Sequence, residues 1–167
     1  IQMYLGCELH SSMDMTECLK NGERLTMAGS RYVLTEFRTS DEKSYIRERV
    51  QALIRRGYYP IVAHVERYRS AVKGGLDFID ELRDMGAYIQ MNADSIIGED
   101  GFTVKRFCKK VIKEEMLDFV GSDGHDLAGR APHIGKCYKK IEKMMGTDYA
   151  DMIFISNPEC IINNERF

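Results

Sequence analysis

Tyr32-Val33-Leu34-Thr35-Glu36 and Pro60-Ile61-Val62-Ala63-His64 are the stretches on which the fold reading turns. Each is a short, mostly apolar run, of strand length and too short for a helix, and each closes on a side chain able to hold a cation or a proton. The pattern recurs on both sides. Glu8 closes Met3-Tyr4-Leu5-Gly6-Cys7, and Leu117-Asp118-Phe119-Val120 leads into Ser122-Asp123-Gly124-His125-Asp126. Helical patterns separate the runs, so strand and helix alternate about five times, which predicts an α/β barrel or an open parallel sheet. Such folds collect their reactive groups at the C-terminal ends of the strands.

The intervening helices are read from apolar spacing and stop signals. One over about 13–19 ends at Asn21-Gly22. A second carries Ile46, Val50, Leu53 and Ile54 and stops at Gly57; a third carries Phe78, Ile79, Leu82 and Met85 and stops at Gly86. The strand 87–91 then runs into Asn92-Ala93-Asp94-Ser95. Val104, Phe107, Cys108, Val111 and Ile112 mark a further helix, Ile134, Cys137, Tyr138 and Ile141 another, and a short one is expected around 149–153.

At 167 residues the chain is read as a single domain over 1–167 with a core of useful size. A net charge of −2 and a pI near 6.1 supply no global basic field, which argues against nucleic acid or an anionic membrane as the partner. No apolar run approaches the roughly 18 residues of a membrane span. No leader is visible after Ile1, and the five cysteines are odd in number and lack a C-x-x-C pair. Free thiols in a reducing cytoplasm are the expectation.

Glu36 stands 28 positions after Glu8, and His64 stands 28 after Glu36. That interval is about one βα unit, so equivalent strand ends would face one cavity. With Asp123 and His125 added, the set becomes a mixed oxygen and nitrogen metal site of the kind that suits manganese, iron or zinc. Arg67, three residues after His64, and Arg130, five after His125, are the cations a phosphate would need, because the guanidinium fork binds two phosphate oxygens. Cys18 and Arg24 stand at the C-x5-R spacing of cysteine phosphatases, but Cys18 follows a helical pattern and Glu23 would repel a phosphate. His10 and His133 are read as surface or supporting groups.

Gly6-Cys7-Glu8, Tyr32-Val33-Leu34-Thr35-Glu36-Phe37 and Ala63-His64-Val65-Glu66-Arg67-Tyr68 together resemble the polymerase and histidinol phosphatase (PHP) superfamily. The likeness is greatest to the bacterial manganese-dependent protein-tyrosine phosphatases of capsule and exopolysaccharide operons. It continues through Gly86 to Ser95, Phe119 to Asp126, Arg130-Ala131-Pro132 and Asn157 to Asn164. The resemblance implies a distorted β/α barrel with a cluster of metals at its C-terminal face. It implies Glu8 bridging two metals, Glu36 and His64 completing one metal's shell, Asp123 and His125 serving the others, and Arg67 and Arg130 gripping phosphate. The implied substrate is a phosphotyrosine protein, most naturally a cognate bacterial tyrosine kinase. A small-molecule phosphatase of the histidinol-phosphate type, or an inactive PHP fragment, are the alternatives.

The family's opening His-x-His strand has no counterpart among His10, His64, His125 and His133. The expectation is therefore a partial barrel lacking its first strands, roughly two βα units or on the order of 70 residues. One weakly held Mn2+ or similar ion and an exposed sheet edge that favours homo-oligomers follow from it.

Overall fold

The computed structural model describes residues 2–126 and 132–167. Five parallel strands pair in chain order: β1 (Glu8–His10), β2 (Tyr32–Glu36), β3 (Tyr59–Val62), β4 (Tyr88–Asn92) and β5 (Phe119–Gly121). Neighbours in sequence are neighbours in space, as in a β/α barrel, and β1 and β5 form the two edges. The connecting helices are α1 (Met15–Lys20), α2 (Lys43–Arg55), α3 (Arg69–Asp84), α4 (Ala93–Ile97) and α5 (Phe102–Lys113). After β5 come α6 (Ile134–Met145), α7 (Thr147–Asp151), a π-helical turn over Met152–Ser156 and α8 (Asn157–Asn163). Among these helices none is long and apolar enough to cross a membrane.

The α/β class and the parallel sheet agree with the sequence reading, and three local expectations are corrected. The run Met3 to Cys7 is not a strand: Met3 and Leu5 are largely exposed, and β1 begins at Glu8. Pairing needs a partner, and β2 supplies one only from Glu8 onward, in the register Glu8 to Leu34 and His10 to Glu36. The last strand starts two residues later than the expected Leu117 and ends one later, at Gly121, because Asp118 is spent on the turn into it: its Oδ2 accepts the Ile89 N–H at 2.7 Å. Residues 93–97 and 157–163 are helices where no helix was expected. Pro158 lies in the first turn of α8, where its missing N–H costs nothing.

Period-two alternation sorts each strand into two faces. The outer face sends Val62, Ile89 and Met91 into the main core, against Ile46 and Val50 of α2, Phe78, Ile79 and Leu82 of α3, and Phe107 and Val111 of α5. The inner face is layered. Tyr32, Ile61, Tyr88 and Phe119 form an aromatic floor toward the strand N-termini. The C-terminal segment closes it from below: Phe167 lies 4.8 Å from the Tyr88 ring, and the Tyr32 hydroxyl donates to the Glu165 carbonyl at 2.7 Å. Above this floor the same face turns polar, with Gln90 and Asn92 on β4 and Glu36 on β2. The floor keeps water out of one end and leaves the other for chemistry.

Candidate metal centre

Glu8, Glu36 and His64 meet at the polar end of the inner face, their ligand atoms all within 4.8 Å of one another. His64 Nε2 lies 2.8 Å from Glu8 Oε1 and 3.6 Å from Glu36 Oε1. Three local features aim this buried imidazole. Its backbone is left-handed, at φ 32°, turning the chain sharply after β3. Its N–H donates to Gln90 Oε1 at 2.5 Å. Tyr68 braces the strand end by donating its hydroxyl to the Ala63 carbonyl at 2.7 Å while accepting the Phe37 N–H at 3.0 Å, and its ring packs edge-on to His64.

Burial pulls the His64 pKa down, but hydrogen bonding to Glu8 and the Glu8 charge more than offset this, and the net shift is upward. Two carboxylates drawn together here repel each other, and a positive charge between them relieves that repulsion. The donor set fits a divalent cation. Oxygen and imidazole ligands bind at about 2.0–2.2 Å, so ligands of one ion stand up to roughly 4.4 Å apart. The observed spread needs only a slight contraction.

Asp123 belongs to a second node. Its Oδ2 accepts from Arg67 at 2.9 Å and from the Asn92 amide at 3.0 Å. Its own backbone is left-handed, at φ 47°, just past the end of β5. His125 is exposed, its Nδ1 2.8 Å from the Asp123 carbonyl. His10 lies 3.8 Å from Glu36 at the rim of the first group, and His133 pairs with Asp94 at 2.7 Å on α4. Arg130 lies outside the described residues. Among the described residues, the groups able to share one ion are therefore Glu8, Glu36 and His64, with Asp123 and Arg67 forming an adjoining acid–guanidinium pair.

Sequence reasoning gave Gln90, Asn92 and Glu66 no task. Gln90 Nε2 donates to Asn92 Oδ1 at 3.1 Å, and the Asn92 N–H donates to the buried Glu66 carboxylate at 3.0 Å. One chain of bonds thus ties the His64 backbone to Asp123. The sequence shows only that Gln90 and Asn92 alternate within an apolar run; the burial of all five residues of β4 is what the structure adds. Polar residues on one face of a buried strand need partners, and these two find theirs in the site. The phosphatase-like Cys18 lies in α1, where desolvation and Glu23 raise its thiol pKa, the opposite of what a nucleophile needs.

A family profile described as "Capsular polysaccharide synthesis, CpsB/CapC" matches residues 1–163. The chain belongs to the CpsB/CapC family. The tyrosine-protein phosphatase CpsB of Streptococcus agalactiae serotype V is 32% identical across 98% of this chain and 69% of its own length. The tyrosine-protein phosphatase YwqE of Bacillus subtilis is 26% identical across 96% of this chain and 62% of its own length. A solved chain described under "Crystal structures of YwqE from Bacillus subtilis and CpsB from Streptococcus pneumoniae, unique metal-dependent tyrosine phosphatases" superposes with a TM-score of 0.89 at 25% identity. That match covers 97% of this chain and 65% of the solved one, so the chain spans somewhat under two thirds of that structure. CpsB/CapC relatives are thus named metal-dependent tyrosine phosphatases of capsule synthesis, and the fold of this chain is theirs.

Proposed function

We propose that this chain is a metal-dependent phosphomonoesterase domain of PHP type whose substrate is phosphotyrosine in a partner protein. The reading assigns the partner as a bacterial tyrosine kinase, the setting as cytoplasmic, and the role as control of capsular or exopolysaccharide synthesis. The observation that carries it is the Glu8–Glu36–His64 cluster beside Arg67, on a fold shared with metal-dependent tyrosine phosphatases. Manganese is the proposed ion, held by Glu8, Glu36 and His64. When bound, such an ion supplies positive charge for the phosphoryl oxygens and makes water more acidic.

The chain's own residues supply the rest. Arg67 is half-exposed at the mouth and offers a planar fork to two phosphoryl oxygens. Asp123 and Asn92 hold that fork and its surroundings in register. Arg130 is the proposed second phosphate grip and His125 the proposed outer ligand. The exposed Met3, Tyr4 and Leu5 beside the β1 edge support self-association of the domain.

The test is turnover of a phosphotyrosine peptide and of histidinol phosphate, each with added Mn2+ and with chelator. Metal-dependent hydrolysis of the peptide, lost in His64→Ala, is expected. Faster turnover of histidinol phosphate would replace the substrate assignment. Chelator-insensitive hydrolysis would overturn the metal assignment.

A further inference from the structure

Helices α5 and α6 hold a disproportionate share of the chain's positive charge. α5 carries five Lys or Arg and no acid, and α6 carries four Lys and one Glu. The pair is therefore +8 in a chain whose formal charge is −2, leaving −10 on everything else. Between them lies a cavity of about 310 Å³. Ile96, Ile112 and Met144 form its apolar floor, and Lys105, Lys109, Lys140 and Lys143 form its rim.

Among the described residues the rim charges meet no acid. Lys140 donates to the Ile96 and Ile97 carbonyl oxygens at 2.5 and 3.1 Å, closing the end of α4. Burial first, and then the charge of Lys105, hold its pKa below the ordinary lysine value. Among the described residues no carboxylate pairs with any of the four; the nearby ion pairs are Lys136 with Glu99 and His133 with Asp94. Like charges gathered around an apolar hollow cost stability unless an anion offsets them.

We propose that this groove docks an acidic peptide segment of a partner protein, with one large apolar side chain seated against Met144 and the lysine stems and flanking Asp or Glu on the four lysines. The small accessible apolar area decides against a membrane: Ile96 and Ile112 are 2% and 1% exposed, which leaves Met144 and the lysine stems, too little for insertion into a bilayer. Among the described residues the lining has no aromatic ring or guanidinium, the groups on which nucleic-acid bases stack. An extended peptide can lower one side chain into the hollow and keep its carboxylates at the rim. The proposal is independent of the hydrolytic reading.

The test is fluorescence anisotropy of the whole chain with fluorescein-labelled Glu-Glu-Asp-Phe-Glu-Asp-Glu. Expected are binding that weakens with salt, a loss of about tenfold in the Lys105→Glu/Lys109→Glu variant, and a comparable loss when alanine replaces the peptide's phenylalanine. Both lysines are exposed, so the variant is expected to fold, which circular dichroism checks. Lys143→Glu, on the other helix, should weaken binding in the same direction. Undiminished binding by the charge-reversed variants, or by the alanine peptide, would overturn the proposal. So would tighter binding of phosphatidylserine vesicles or single-stranded oligothymidine than of the peptide.

Discussion

Replacing Gln90 with leucine tests whether the buried amide under His64 builds the site. The side chains are similar in size, so the substitution changes hydrogen bonding more than volume. Gln90 is 7% exposed and serves three backbone and side-chain groups. It accepts the His64 N–H, and it donates to the Met91 carbonyl at 2.9 Å and to Asn92 Oδ1 at 3.1 Å. Leucine leaves the His64 N–H and Asn92 Oδ1 without these partners, each at about 1–3 kcal/mol, so a stability loss of about 2–6 kcal/mol is expected. His64 also holds a left-handed backbone, at roughly 1–2 kcal/mol, and that bond is one of the forces keeping it there. Relaxation of the turn would carry the imidazole away from Glu8 and Glu36. Removing such supporting bonds lowers metal affinity by roughly 10–100-fold. Urea unfolding measures the first effect and calorimetric titration with Mn2+ the second. An unchanged urea midpoint together with unchanged Mn2+ affinity would show that Gln90 is a passenger.

Three more expectations rest on single residues. Arg67→Lys keeps the charge but not the fork, and kcat/KM on a phosphotyrosine peptide should fall by about 100-fold, with Mn2+ affinity little changed; a near-normal rate would remove Arg67 from phosphate binding. Leu82, fully buried between α3 and the sheet, should cost about 2–5 kcal/mol when cut to alanine, read by urea unfolding. Asp118 has a pKa raised above 3.8, mainly by burial and against the opposing Ile89 N–H and Arg83. The folded chain thus holds that proton more tightly than the unfolded one. Stability from this group falls as pH rises from 3.8 through the folded pKa and is flat above it. Wild type should therefore lose ground to Asp118→Asn between acid and neutral pH; a stability difference that does not change with pH would contradict the assignment.

Much of the fold was legible because its signals are local. The run 32–36 is a strand in the structure and 60–63 is one as far as Val62, and Gly57 and Gly86 follow α2 and α3 as stop signals should. The equal spacing of Glu8, Glu36 and His64 anticipated that the three would meet for a related reason: successive βα units of similar length return the chain to the same end of the sheet. The start of β1 was misread because an apolar run becomes a strand only where another strand is available to pair with it. Residues 3–7 have no such neighbour, whereas Glu8 meets Leu34.

What the sequence by itself determined was the class of fold, the strand ends and the residue types offered there, all consequences of period, length and turn chemistry. Which of those residues meet was decided by tertiary structure. His64 reaches Glu8 across 56 positions, and Arg67 reaches Asp123 only because β3 and β5 flank β4. The roles of Gln90 and Asn92 were likewise invisible until β4 proved buried on both faces, since a polar side chain becomes an obligatory partner only when water is excluded from it. The charge of α5 and α6 follows the same logic. A near-neutral total conceals a strongly basic groove, because charge adds along the chain but acts through distance, and distance is set by the fold.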